Sequence, residues 1–548
     1  MNSPKDIGHD VPSSETRTSL SKRHFPGDPV YTGSADTSPA LNSPDPTDTQ
    51  RRPRPKSTIG NIAKRMSTVI EENLKPAKPL GPSRAKGVIQ GIKAIICMSW
   101  LNLLLFCIPV AWALHFIWQN DTTSTQDTII FVFSFLSIIP LAKLLAFATD
   151  ELSCRVGQTL AGLLNATLGN AVELIVAIIA LAKCELQVVQ SSLVGSILSN
   201  LLLVLGMCFF AGGTRFSEQG FGVSATQLNS SLLTISVIAV LLPAAFHFAA
   251  NNTDPTETKD ILSVSHGAAI ILLFIYGSYL VFQLFSHKDL YSDDNPENFK
   301  STKYAPGKHF PINMHLRRRT TVAAEPKRDD LEMGSVSRSQ TRTSNQANGT
   351  VLTSQDGHTA SADESTAALQ HPDPEQAAEE VEEVEEPMLT IPMTIGLLAV
   401  VTVIVAVTAE FLVSSIDGLT STGNISKEFV SLVLLPIVGN AAEHVTAVTV
   451  SVKDKIDLSL GVAVGSSIQI ALFVIPFIVT LGWIMGKPLS LLFDPYESIV
   501  LFLSVLIVNY TVADGRSNWL EGAVLMSLYV MLAVTFWYYP GDSLVSQC

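Results

Sequence analysis

Long apolar runs and long polar runs alternate along the chain, and their boundaries divide it into four parts. Residues 1–91 and 288–387 are polar and punctuated by Pro, Ser, Thr and charge, whereas 92–287 and 388–548 are apolar. Eleven runs within the apolar parts approach or exceed the roughly 20 residues that a helix needs to cross a bilayer. They cover about 93–118, 128–149, 157–182, 188–211, 226–249, 260–287, 388–416, 428–452, 457–483, 495–512 and 518–538. The pattern predicts an all-α polytopic membrane protein with about 11 transmembrane helices. The polar insert divides them six plus five. With the first helix set apart, two five-helix halves remain. An odd number of crossings per half turns the second half over in the membrane, which is the inverted-repeat plan of many secondary transporters.

Composition sharpens this picture once it is split by region. The whole chain has 548 residues, 47% hydrophobic and 16% charged, with 36 Lys/Arg and 49 Asp/Glu for a formal charge of −13. The 357 residues outside the two polar stretches hold only 11 Lys/Arg and 21 Asp/Glu. A simple soluble enzyme is excluded by the apolar runs, and a nucleic-acid binder by the absence of a basic domain. The −13 divides into about +5 on residues 1–91, −8 on 288–387 and −10 on the apolar parts. The six cysteines lack CxxC spacing, so neither zinc nor a disulfide framework is indicated.

The four parts are then a disordered cytosolic N-terminal tail (1–91), a first helix plus the first five-helix repeat (92–287), a cytosolic insert (288–387) and the second repeat (388–548). Pro-rich pieces such as Arg51-Arg52-Pro53-Arg54-Pro55-Lys56 bury too little apolar surface to fold. No apolar core of a cleavable signal peptide occurs in the first 90 residues. Lys and Arg in the short loops are nearly balanced. Arg84, Lys86 and Lys93 before the first run, and Lys288, Lys300 and Lys303 after the sixth, favour the cytosol for the tail and the insert. The glycosylation sequons at Asn120, Asn251 and Asn424 then fall on the opposite side.

One motif occurs twice inside the membrane. Gly169-Asn170-Ala171-Val172-Glu173 lies in the third run and Gly439-Asn440-Ala441-Ala442-Glu443 in the eighth, 270 residues apart. Gly195-Ser196 and Gly465-Ser466 in the following runs repeat at the same offset. An ionised carboxylate in such a setting requires a partner. Neither motif-bearing run contains an interior Lys or Arg, and Lys143 in the second run sits near an end. Glu173 and Glu443 must therefore be protonated or hold a mobile cation. Protons and a cation competing for the same oxygens are coupled without further machinery. The donors are all oxygen, from two carboxylates, the amides of Asn170 and Asn440 and nearby carbonyls, a set suited to hard cations and, with two carboxylates, to Ca²⁺ over Na⁺. Gly169 and Gly439 permit close packing or local unwinding.

Further polar groups accompany the pair. Ser196, Ser199 and Asn200 in the fourth run and Ser466, Ser467 and Gln469 in the ninth either complete coordination or serve as interhelical hydrogen-bond glue. His444 is either a proton relay or a satisfied buried histidine. Glu151, in Thr149-Asp150-Glu151-Leu152, and Glu410, in Thr408-Ala409-Glu410-Phe411, form a weaker pair at offset 259, at a pathway mouth or at solvated helix ends. Before the seventh run, Asp373–Glu386 holds eight acids, among them Glu375, Glu379, Glu380, Glu382, Glu383 and Glu386. This segment reads either as a solvated linker or as an acidic cytosolic helix that attracts Ca²⁺ in a regulatory role.

At Gly169–Glu173 and Gly439–His444 the sequence resembles the vacuolar-type Ca²⁺/H⁺ exchangers of fungi and plants, within the Ca²⁺/cation antiporter superfamily. The paired GNAxE motifs with Glu-His in the second copy carry the resemblance, which extends over 93–287 and 388–548. It implies transport of cytosolic Ca²⁺ into an acidic vacuole, driven by the proton gradient. It also implies Glu173 and Glu443 as shared Ca²⁺/H⁺ ligands and an acidic helix between the repeats. The expected partners are Ca²⁺, H⁺ and the lipid bilayer. No cofactor and no nucleic acid is expected, and no oligomeric state is assigned. Two other functions stay open: an Mn²⁺/H⁺ or Na⁺-coupled exchanger on the same fold, and a cation channel. The absence of HExxH argues against a zincin-like membrane hydrolase.

Overall fold

The computed structural model describes residues 95, 99–118, 123–156, 158–249, 257–291, 299–304, 388–421, 423 and 425–541. The tail 1–91 and the acidic segment with Glu375, Glu379, Glu380, Glu382, Glu383 and Glu386 lie outside them. Among the described residues the predicted runs are mainly helical, and the helices that pass as membrane spans number eight, or nine with one bent pair. Eight helices are long and apolar enough to cross a membrane: α1 (Trp100–Ile117), α2 (Ser124–Ser153), α5 (Leu186–Gly213), α6 (Val223–Ala249), α7 (Lys259–Ser286), α8 (Ile391–Thr420), α11 (Ile456–Ile484) and α13 (Trp519–Tyr538). A ninth crossing is broken into α9 (Lys427–Gly439) and α10 (Ala441–Ser451), bent by 58°. The third run is the pair α3 (Gln158–Leu168) and α4 (Ala171–Ala182), and the tenth is the shorter α12 (Pro495–Thr511).

The 270-residue offset recurs in the backbone. Asn170 and Asn440 interrupt their spans with nearly the same torsions, φ −97° and ψ 27° against φ −92° and ψ 6°. Cys184 and Asp454, also 270 apart, both adopt φ 66° in the turns that follow. π-helical turns at Ser199–Val204 in α5 and Ile470–Val474 in α11 mark the same place in each half. Such turns collect at functional sites because they re-aim side chains around the helix.

Packing follows the repeat. The long helices α2 and α8 lie against one another, with α1 on the flank of α2. α7 packs on the end of α11 as α13 packs on the end of α5, and α6 packs on α12. α5 and α11 are the most enclosed crossings, with 83% and 78% of their apolar windows buried. The resulting core holds Ile197, Leu201, Leu205, Ile468, Leu472 and Ile475, each at most 1% exposed. Outer helices instead present Ile270, Ile271, Phe274, Val403 and Tyr510 to the surroundings, as lipid-facing surfaces do.

A small sheet covers one end of the bundle. β1 (Phe216–Gly220), after α5, pairs antiparallel with β2 (Thr302–Lys303) from the insert and with β3 (Arg516–Ser517) between α12 and α13. This end, where the insert leaves α7, is called the insert face below. Tyr304 Oη donates to Gly213 O at 2.7 Å, and the Arg516 guanidinium lies 4.9 Å from the Phe299 ring centroid. Residues 299–304 of the insert are thus docked to loops from both halves.

Candidate ion site at the paired helix breaks

Both motif glutamates stand in the first turn after a helix break, Glu173 in α4 and Glu443 in α10. A helix start presents amide dipoles to a carboxylate, while the carbonyls ending α3 and α9 lack helical partners and suit a cation. The halves interlock reciprocally. A Cβ on Gly439 would stand 2.9 Å from Glu173 Oε1, and one on Gly169 would stand 3.8 Å from Glu443 Oε1. Gly439 thus leaves the room that Glu173 occupies against the broken backbone of the other half, while Glu443 lies at ordinary contact distance from Gly169.

Around this crossing runs a hydrogen-bond chain between the repeats. Asn170 Nδ2 donates to Gln469 Oε1 at 2.6 Å, Ser466 Oγ donates to Asn170 Oδ1 at 2.8 Å, and Asn200 Nδ2 donates to Ser466 Oγ at 3.2 Å. Asn170, Asn200, Ser466 and Gln469 therefore act first as a scaffold across the repeat interface. Asn440 is different: its Nδ2 is buried with no hydrogen-bond partner among the described residues, as are Glu173 Oε1 and Glu443 Oε2. Orphaned buried carboxylate oxygens are costly, so Glu173 and Glu443 call for a proton or a cation, whereas the Asn440 Nδ2, a donor, suits an anionic oxygen and leaves its Oδ1 as the atom that could meet a cation.

Access to the two carboxylates is unequal. Glu443 lines a cavity of about 530 Å³ together with Lys143, Asp150, Asn165, Gln283, Thr446, Ser466 and Gln469. Several of these residues belong to the insert-face ends of their helices, so the cavity is a vestibule on that side. Glu173 faces instead a closed space of about 20 Å³ with Ser192, Ser196, Leu412, Pro436 and Gly439. The conformer is open to Glu443 from the insert face and shut around Glu173 from the other.

The accessory residues separate into distinct places. His444 Nε2 lies 3.5 Å from Ser199 Oγ, buried behind the site. Glu151 is only 6% exposed, accepts Met388 N at 2.8 Å and Leu389 N at 3.0 Å, and lies 3.9 Å from Arg155. It caps the approach to α8 rather than lining the vestibule, which Asp150 beside it does. Glu410 pairs with Lys183 at 3.5 Å near the opposite face. Lys143 is not at a helix end, because α2 continues to Ser153; it lines the vestibule, and its amine donates to Ser99 Oγ at 3.2 Å. Sequence reasoning did not single out Asn165, which accepts from Ser153 Oγ at 2.8 Å and lines the vestibule. Its signal was a lone amide four residues before Gly169 in an apolar run.

Comparison with known proteins places similar chains in one group. The model of the sodium/calcium exchanger protein family matches residues 127–285 and 393–538. The vacuolar calcium ion transporter of Cryptococcus neoformans var. grubii is 54% identical over 497 residues, covering 88% of this chain and 80% of that one. The Ca²⁺/H⁺ antiporter of Aphanothece halophytica is 37% identical over 441 residues, 80% of this chain and 96% of its own. Among solved structures, the selenium-substituted Ca²⁺/H⁺ antiporter protein YfkE superposes with a TM-score of 0.53 at 25% identity, over 80% of this chain and all of that one.

Proposed function

Because the chain belongs to the sodium/calcium exchanger protein family, we propose that it is a Ca²⁺/H⁺ antiporter of the vacuolar membrane, with its insert and N-terminal tail in the cytosol. The carrying observation is the pair Glu173 and Glu443: one buried and one half-buried carboxylate in inverted copies, each with an orphaned buried oxygen and neither with a basic partner among the described residues. The names of its relatives, vacuolar transporters in fungi among them, support the cation and the membrane.

Cytosolic Ca²⁺ enters the insert-face vestibule and meets Glu443 first. Glu173, the Asn440 amide and the carbonyls that end α3 and α9 complete an all-oxygen set. Glu443 and Glu173 release their protons as the cation binds, because the same oxygens cannot hold both. The loaded site then opens to the other face, where protons of the acidic lumen recapture the carboxylates and displace Ca²⁺. The Asn170–Gln469–Ser466–Asn200 chain keeps the two broken spans in register.

Proton-driven Ca²⁺ accumulation in proteoliposomes tests this reading. Uptake against a Ca²⁺ gradient is expected only with an acidic interior, and Glu173→Gln or Glu443→Gln is expected to abolish it. Undiminished uptake in either variant overturns the site. Dissipation of the Ca²⁺ gradient without accumulation indicates a channel. Uptake that follows Na⁺, or Mn²⁺ in preference to Ca²⁺, indicates the alternative exchangers.

A further inference from the structure

Three buried carboxylates, Asp494, Glu428 and Glu497, are neighbours at the face opposite the insert, away from the paired helix breaks. Asp494 caps α12, accepting Tyr496 N at 2.8 Å and Glu497 N at 3.2 Å, and it also accepts Tyr539 Oη at 2.9 and 3.0 Å. Glu428, at the start of α9, is 2% exposed; its Oε1 accepts from Gln187 Nε2 of α5, and its Oε2 is buried without a partner among the described residues. Glu497, in the first turn of α12, is 1% exposed, and neither of its carboxylate oxygens meets hydrogen-bond geometry with a partner among the described residues. It lies within electrostatic reach of Asp494 and Glu428 and beside Ser191 of α5.

The charges around this group do not balance it. Lys427, adjacent to Glu428, is committed elsewhere, to Glu185 at 2.7 Å and Asp417 at 2.8 Å. From α5 come only the neutral Gln187 and Ser191. The one titratable residue of α6, His247, stacks edge-on with Phe248 instead. Among the described residues, no three His, Cys, Asp or Glu side chains converge to hold a metal ion. Three buried carboxylates cannot all be ionised in such surroundings. Gln187 and Ser191, four residues apart on α5, set Glu428 and Glu497 one helical turn from each other, and a protonated Glu497 becomes a donor where Glu428 Oε2 is a buried acceptor.

We propose that Glu497 and Glu428 form a second proton-binding site, at the face opposite the insert, which supplies protons to Glu173 when that face opens. This extends the exchange reading above, which assigns protons only to Glu173 and Glu443. The serines of α5 connect the two places: Ser191 stands beside Glu497, and Ser192 and Ser196 line the closed space around Glu173. In each transfer Glu497 gives one proton to a hydroxyl chain, which passes one proton to the Glu173 carboxylate. Glu497, left as the carboxylate, is reloaded from the lumen.

Infrared difference spectroscopy of the full-length protein, together with proteoliposome exchange, tests the site. A protonated-carboxyl band is expected at neutral pH that survives in the Glu173→Gln/Glu443→Gln double variant and disappears in Glu497→Gln. Glu497→Gln is also expected to slow proton-driven exchange on the order of tenfold or more, while Ca²⁺ binding at neutral pH stays within about twofold. Glu428→Gln, which keeps the volume and removes the acceptor charge, is expected to shift the same band and provides the readout if Glu497→Gln does not fold. A band lost only with Glu173 and Glu443, or full exchange rates in a folded Glu497→Gln, overturns the second site while leaving the primary one intact. Failure of Glu173→Gln and Glu443→Gln to affect Ca²⁺ binding overturns the exchange reading instead.

Discussion

The clearest way to perturb the alternation is at two glycines that occupy the same place in the two halves. Gly195 of α5 is pressed against α9. A Cβ there would run into Leu432 O and stand 2.6 and 2.7 Å from Leu432 C and Cα. The obstacle is backbone, which cannot rotate away, so Gly195→Ala destabilises this conformer by about 1–3 kcal/mol, the usual range for overpacking. Gly465 of α11, its counterpart 270 residues on, has nothing within 4 Å. Its own gate, between α11 and α3, is the open vestibule, lined by Gly162 and Gly461. One chemical change thus acts on opposite states: Gly195→Ala disfavours closure opposite the insert, and Gly465→Ala hinders closure at the insert face. An energy of 1–3 kcal/mol corresponds to about 5–150-fold in the ratio of the two populations. Labelling with an impermeant maleimide at Thr446→Cys in the vestibule, and in parallel at Ser192→Cys in the closed space, reads that ratio in a Cys154→Ser background. The Thr446-to-Ser192 labelling ratio is expected to fall in Gly195→Ala and to rise or hold in Gly465→Ala. The same shift in both variants, or none in a folded Gly195→Ala, refutes the assignment of the two gates.

Asn170→Ala strands Gln469 and Ser466 and is expected to lower stability by about 1–3 kcal/mol in thermal unfolding. Asn440→Ala removes an amide whose Nδ2 has no partner, and is expected to spare stability but weaken Ca²⁺ binding, read by titration. Glu151→Ala deprives the approach to α8 of an acceptor for two amides and is expected to lower stability by about 1 kcal/mol, with Ca²⁺ affinity unchanged. Burial raises the Tyr304 phenol above its ordinary value, so its hydrogen bond to Gly213 contributes fully below pH about 10. That contribution is lost as the pH rises through the raised value. Limited proteolysis is accordingly expected to cut near residues 299–304 in Tyr304→Phe at neutral pH, and in the unmodified chain only in alkali.

Much of this architecture could be read directly from residue order. The apolar runs have the length of bilayer crossings, and the motif offset of 270 reappears in helix breaks, turns and π-helical segments. The breaks at Asn170 and Asn440 follow from a glycine and an amide side by side, which leave the helix ladder weak at one point. Side-chain partners were less legible because a polar residue in an apolar helix announces a need without a direction. Asn170 finds Gln469 and Ser466, nearly three hundred residues away, while Asn440 in the same motif leaves its amide free. Glu151 reads either as an acid at a pathway mouth or as a solvated helix end, and it holds two backbone amides, those of Met388 and Leu389, just before α8. Glu497 raised no signal, because Asp494-Pro495-Tyr496-Glu497 has the ordinary form of a capped helix start with an acid in its first turn. Only burial and the approach of Glu428 set it apart.

What the sequence holds in duplicate, the conformer holds unequally. The two GNAxE segments are near copies, yet Glu443 opens to a vestibule and Glu173 to a closed space. Gly195 is tight and Gly465 is loose. α5 lies along α9, whereas the corresponding contact of α11 with α3 is sparse. Because the halves are inverted, exchanging these roles reproduces the same set of contacts on the other side of the membrane. The two end states then differ little in energy, and a ligand needs only a modest differential affinity to redistribute them. On the exchange reading proposed above, a bound divalent cation draws both glutamates into one site and protons displace it, so that the duplicated motif supplies both the ligand and the symmetry that lets the two faces alternate.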